Sequence, residues 1–129
     1  LSQCVGQVYR ERFGLTRDEW RVMAALAEAG TVKTARVIES TTLEKMQVSR
    51  AVSRLEEGGL LERLPDPDDG RGWRLRLKPA GRAMYQKIVP LVQAREAFLL
   101  QALEPAERQV LDAAIDKLLH RARLLADSR

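Results

Sequence analysis

Apolar residues recur every three or four positions along most of the chain, and the stretches where that rhythm breaks mark its joints. Leu1, Val5, Val8, Tyr9 and Phe13 form one helical stripe, which reads as the end of a longer helix and stops at Gly14. A second helix has a well-marked start. Thr16 stands as N-cap with Glu19 three residues on, and Leu15 and Trp20 occupy the two positions of a hydrophobic staple. This helix continues through Met23, Ala24 and Ala27 and closes at Ala29-Gly30. Two short helices are predicted over 31–59. The first uses Val32, Ala35, Val37 and Ile38, and the polar turn Ser40-Thr41-Thr42 ends it. The second, about 44–57, turns Val48, Ala51, Val52 and Leu55 inward, with Met46, Arg50, Ser53 and Glu57 opposite and Gln47, Ser49 and Arg54 on the flanks. From Lys45 to Arg54 there are three cations and no acid.

After Gly58-Gly59 the period falls to two. Residues 60–64 predict a short strand, 65–72 a turn rich in Pro, Asp and Gly, and 73–78 a return strand. Trp73, Leu75 and Leu77 lie on one face of that strand, with Arg74, Arg76 and Lys78 on the other. Such a two-stranded hairpin is marginal alone and must pack on the helices before it. From Pro79 to about residue 103 the chain is helical again, with a kink expected at Pro90. A last helix starts at Glu104-Pro105. Its apolar face (Val110, Leu111, Ala114, Ile115, Leu118, Leu119, Ala122, Leu125) is rich enough to predict burial in a partner subunit. The fold class is therefore mainly α with a small β-hairpin: a winged helix-turn-helix whose last helix is expected to pack on a partner. Residues 15–78 read as the winged region, between helical segments 1–14 and 79–129.

The 129 residues, 45% hydrophobic and 31% charged, match one ordinary globular domain and are too apolar for disorder. Arg supplies 17 of the 22 cations, and the net charge of +4 suits an anionic partner. One Cys and one His provide neither a disulfide framework nor a Cys/His zinc cluster, and little for a His-centred catalytic site. No nucleophile–base motif or phosphate loop is present, so no catalytic residue, metal or cofactor is expected. The longest charge-free run is nine residues, too short to span a bilayer, and the expectation is a soluble protein of a reducing, cytoplasmic compartment.

Glu44-Lys45-Met46-Gln47-Val48-Ser49-Arg50-Ala51-Val52, Leu55-Glu56, Gly59-Leu60, Asp66-Pro67-Asp68-Asp69-Gly70-Arg71 and Leu75-Arg76-Leu77-Lys78-Pro79-Ala80-Gly81 closely resemble the MarR (multiple-antibiotic-resistance) family of transcription regulators. Phe13-Gly14-Leu15-Thr16 and Glu19-Trp20-Arg21-Val22 look like that family's entry to its second helix. The resemblance implies a homodimer with interlocking N- and C-terminal dimerisation helices (1–14 and 79–129), two winged lobes on a pseudo-palindromic DNA duplex, and often a pocket for a small-molecule effector. Two features depart from the pattern: Lys78 replaces a usual Thr cap, and the first helix is short.

Arg50 heads the candidate contacts, since its planar fork suits a guanine edge in the major groove. The resemblance adds Met46 and Gln47 beside it, Ser49 and Arg54 fit phosphate contacts, and Lys45 joins them as a DNA-binding candidate. On the wing, the resemblance has Asp69 orienting Arg71, whose guanidinium meets concentrated negative potential in a narrow minor groove. Arg74 and Arg76 serve either as backbone contacts or as plain strand-face charges. Tyr9, Phe13, Trp20, Arg21 and Met23 are candidates to line a pocket for an aromatic acid, with Arg21 as carboxylate partner; the alternative is ordinary core. Cys4 reads as an inert, partly buried thiol rather than a redox sensor, with no nearby cation to activate it. His120, with Asp116 one turn earlier, reads as a polar residue at the dimer edge. The leading expectation is a DNA-binding repressor released by a small molecule. The competing one is a winged-helix protein–protein module that uses the hairpin as its surface.

Overall fold

Thr16 begins the best-capped helix of the structure, a computed structural model that describes residues 2–127 except the side chains of residues 2, 3, 69, 71, 126 and 127. The Glu19 N–H donates to Thr16 Oγ1 at 3.2 Å and the Thr16 N–H donates to Glu19 Oε2 at 2.9 Å, the reciprocal pair expected from the sequence. Helix α1 is Ser2–Phe13 and α2 is Arg17–Ala29. Gly30 closes α2 at a φ of 83°, a conformation that glycine adopts without strain. Then follow β1 (Val32–Lys33), α3 (Thr34–Thr41), α4 (Lys45–Glu57), β2 (Leu61–Asp66), β3 (Asp69–Leu77), α5 (Pro79–Leu100) and α6 (Pro105–Asp127).

Two expectations about the sheet need correction. The sheet has three antiparallel strands in the order β1-β3-β2, not two, because Val32 and Lys33 pair with Leu75 and Arg74. A two-residue strand is too short to show a period of two, so its pairing is visible only in three dimensions. The turn is also much tighter than the eight residues expected. Strand pairing continues out to Asp66↔Asp69, across a register irregularity at Pro65/Asp66, which leaves only Pro67 and Asp68 between the strands. Turn-forming composition does not prevent ladder formation where the partner strand is already in register.

The chain divides into two compact units, residues 1–93 and 94–129. The first has a continuous core that includes Val22, Met23, Leu26, Val37, Val48, Val52, Leu55, Leu61, Leu75 and Ile88. Tyr9, Trp20 and Tyr85 stack in series within it, with ring centroids 5.6 and 5.3 Å apart, and join α1, α2 and α5. Gly81 is buried in the first turn of α5. A Cβ there would overlap the carbonyl oxygen of Leu60, which also accepts from the Lys78 N–H at 2.9 Å. α5 is a single helix through Pro90, and it ends at Leu100 rather than near residue 103. The second unit is the end of α5 followed by α6. Phe98, Val110, Leu118 and Leu125 are exposed there, and no described residue of this unit is buried.

Candidate nucleic-acid interface

The geometry of α4 follows from its sequence. Val48, Ala51, Val52 and Leu55 are buried, while Lys45, Met46, Gln47, Ser49, Arg50 and Arg54 are exposed. Met46, 63% exposed, is an apolar side chain held open on an otherwise polar face. Gln47 also serves the helix itself, since its Oε1 accepts from the Glu44 N–H at 2.9 Å and so closes the first turn. Arg50 forms no ion pair among the described residues. Arg54 Nη1 stands 3.8 Å from Oε1 of the nearly buried Glu19, a link from α4 to the cap of α2 that residue spacing does not reveal.

The turn before α4 is built on Thr41 and Thr42. Thr42 sits in the left-handed region at a φ of 59°, a strained conformation for a β-branched residue that typically costs about 1–3 kcal/mol. It is held by its own hydroxyl, which donates to the Thr41 carbonyl at 2.6 Å, and by Arg21 Nη2, which donates to Thr42 Oγ1 at 3.3 Å. Thr41 Oγ1 donates to the Val37 carbonyl at 2.7 Å and ends α3 from within.

On the wing, Leu75 and Leu77 are buried as the alternation predicts, but Trp73 is 47% exposed, because the inward face of β3 runs beyond the core. Arg76 pairs with Glu62 across the strands. Arg74 Nε lies 3.5 Å from Asp66 Oδ1 and its Nη2 lies 3.5 Å from Asp68 Oδ2. The side-chain pairing of Asp69 with Arg71 falls outside the described residues. Arg63, absent from the sequence expectations, ties β2 to α4, with Nε 3.2 Å from Glu56 Oε1 and Nη2 donating to Ser53 Oγ at 3.1 Å.

A groove of about 400 Å³ lies between α2 and α3, lined by Trp20, Arg21, Ala24, Ala25, Val32 and Arg36 among others. Of the five candidate pocket residues, Trp20 and Arg21 reach it. Tyr9 and Met23 are buried in the core and Phe13 packs against it. Cys4 is exposed rather than partly buried, because Val5 and Gly6 beside it carry the packed face of α1. Among the described residues no three His, Cys, Asp or Glu side chains come together to hold a metal, and His120 is exposed on α6. No described helix is long and apolar enough to cross a membrane.

Three packed helices, the last presenting a cationic outer face, with a hairpin after them that completes a three-stranded sheet with β1, define a winged helix-turn-helix. Similarity to known proteins makes this more specific. The model of the MarR family matches residues 13–72. The regulator FarR of Neisseria gonorrhoeae is 30% identical over 81 residues, which cover 63% of this chain and 56% of FarR. The chain thus spans little more than half the length of that relative. BpsR of Bordetella bronchiseptica, whose DNA binding is described as regulated by 6-hydroxynicotinic acid, superposes with a TM-score of 0.78 at 26% identity over 90% of each chain. A mutant MarR from E. coli in complex with operator DNA gives a TM-score of 0.82 at 24% identity, over 91% of this chain and 84% of that one. Residues 13–72, the stretch that holds the helix-turn-helix and the wing hairpin, thus match the MarR family of transcription regulators.

Proposed function

We propose that the protein is a homodimeric, sequence-specific DNA-binding repressor and not an enzyme. The observation that carries this reading is the outer face of α4, where Lys45, Met46, Gln47, Ser49, Arg50 and Arg54 stand exposed with no acid among them. A helix so presented fits the major groove, with Arg50 on a base edge, Met46 and Gln47 beside it, and Lys45, Ser49 and Arg54 toward phosphates. The wing reaches the adjacent minor groove with Arg71, oriented by Asp69, while Arg74 contacts the backbone. Residues 1–14 and 79–129 form the dimerisation region and 15–78 the DNA-binding region, so two lobes meet half-sites about one helical turn apart on a pseudo-palindrome. A dimer seated across an operator excludes other proteins from that DNA. Residence in the cytoplasm follows from this role.

The α2–α3 groove fits a small aromatic acid. Trp20 offers a flat apolar wall, and Arg21 offers a guanidinium already engaged at the turn that leads into α4. A carboxylate competing for Arg21 would release Thr42 and loosen the entry to the recognition helix. The regulation of BpsR by 6-hydroxynicotinic acid supports an acid of this class as effector.

Retention on duplex DNA at increasing salt tests the main reading. Binding must fall steeply and linearly on a log–log plot, because phosphate contacts release counterions. Selection of bound duplexes from a random pool must then return a two-fold symmetric site. Absence of salt-sensitive retention on any duplex rejects the reading and favours the protein–protein module.

A further inference from the structure

A carboxylate in a turn of a DNA-facing hairpin is ordinarily solvated, and near phosphate it is unfavourable. Asp66 does not fit that description. Its side chain is 2% exposed, and a buried carboxylate persists only where partners replace its water. Three partners do so. Oδ1 accepts from the Asp68 N–H at 3.0 Å and lies 3.5 Å from Arg74 Nε, while Oδ2 lies 3.5 Å from Lys33 Nζ.

The partners come from separate places in the fold. Lys33 belongs to β1, Asp68 to the turn and Arg74 to β3, while Asp66 itself ends β2. Lys33 and Arg74 are also directly opposite each other in the β1–β3 ladder, where two like charges repel. The Asp66 carboxylate sits within reach of both and converts that repulsion into a bridge. Arg74 is further held by Asp68, whose Oδ2 lies 3.5 Å from Nη2.

We propose that Asp66 is the positioning residue of the wing: its carboxylate fastens β1, β2 and the hairpin turn together and sets the direction of the Arg74 guanidinium. The Asp68 N–H foremost, with Lys33 and Arg74, holds the Asp66 carboxyl below the usual aspartate value, against the opposing push of burial. What this clamp does for DNA affinity rests on the function proposed above, whereas the clamp itself does not.

The test uses the full chain and two readouts. In the unbound protein, Asp66→Asn should speed amide hydrogen exchange at Asp68 and along β1–β3 by about tenfold while α4 stays protected. On duplex DNA, counting charges alone predicts that Asp66→Asn, with one acid fewer, binds more tightly. Positioning predicts the reverse: binding weaker by about threefold to tenfold, with a salt slope shallower by about one unit per wing as the Arg74 contact is lost. Once Arg74 is already Ala, Asp66→Asn should change DNA affinity by less than about twofold. Lys33→Met, which removes a partner and leaves the acid, should move both readouts the same way by less, and serves if Asp66→Asn does not fold. Unchanged exchange in the wing, or unchanged or tighter DNA binding by Asp66→Asn, overturns the proposal. If the parent protein binds no duplex, the DNA reading fails while the exchange measurement still decides the clamp.

Discussion

The two compact units of the chain solve the hydrophobic problem in opposite ways. Residues 1–93 enclose Val22, Met23, Leu26, Val48, Leu55, Leu61, Leu75 and Ile88 at 1% exposure or less. Residues 94–129 leave Phe98, Val110, Leu118 and Leu125 each at least 69% open to solvent. Two helices cannot surround each other, so an aliphatic face as rich as that of α6 has no interior of its own. The first unit therefore encloses a core of its own, and in the dimer proposed above the second would offer its aliphatic face to a partner.

The largest effect should come from setting the second unit against itself. Leu118→Glu with Leu125→Glu should yield a monomer in sedimentation velocity, because two buried acids would face each other across a symmetric contact. Binding to a duplex with both half-sites should then fall by about 10²–10⁴-fold, the usual gain from linking two sites. A dimer that survives this pair would break the comparison. Next comes the core of the first unit: Leu55→Ala should lower unfolding stability by about 2–5 kcal/mol in a urea titration. The same truncation at exposed Leu118 should cost the isolated protomer far less.

Gly81→Ala is a finer cut, since the change adds one methyl group where the chain of α5 crosses Leu60. Its Cβ would meet the Leu60 carbonyl oxygen, and the required backbone shift should cost about 1–3 kcal/mol despite the better helix propensity of alanine. Arg50→Ala should leave stability alone but cost about 1–3 kcal/mol in binding the selected duplex and relax preference at one symmetric base position. Equal weakening on all sequences would move Arg50 to the phosphates. The smallest effect concerns acid. The Asp66 carboxyl is held below its ordinary value, so its contribution to the fold is complete above that ordinary value and is lost only as pH falls through the lowered one. Exchange in the wing should therefore show no Asp66-dependent loosening between pH 7 and about 5.5, once the intrinsic pH dependence of exchange is subtracted.

Helices were legible wherever a periodic face and a cap agreed. Thr16 with Glu19 announced α2, and Val48, Ala51, Val52 and Leu55 marked both the buried face of α4 and, by subtraction, its outer one. What stayed hidden depended on partners distant in sequence. Val32 and Lys33 become a strand only because β3 passes beside them, and Asp66 looks like a turn residue until Lys33 and Arg74 converge on it. The ties of Arg63 and the link of Glu19 to Arg54 were missed for the same reason, since the partners lie 7 and 10 residues away in one case and on another helix in the other. Trp73 erred the other way: alternation assigned it inward, but alternation does not say where a core ends.

The strand order of the wing carries one more consequence. With β3 in the middle, the outer edges belong to β1 and β2. β1 is two residues long, too short to recruit a neighbour, and β2 carries Pro65, which has no N–H to offer. Charged Glu62 and Arg63 occupy the same strand. A sheet finished in this way is a poor template for a strand from another molecule, even when many copies crowd along one duplex. On the DNA-binding function proposed above, wings brought side by side on adjacent sites would stay separate and would not knit into a shared sheet.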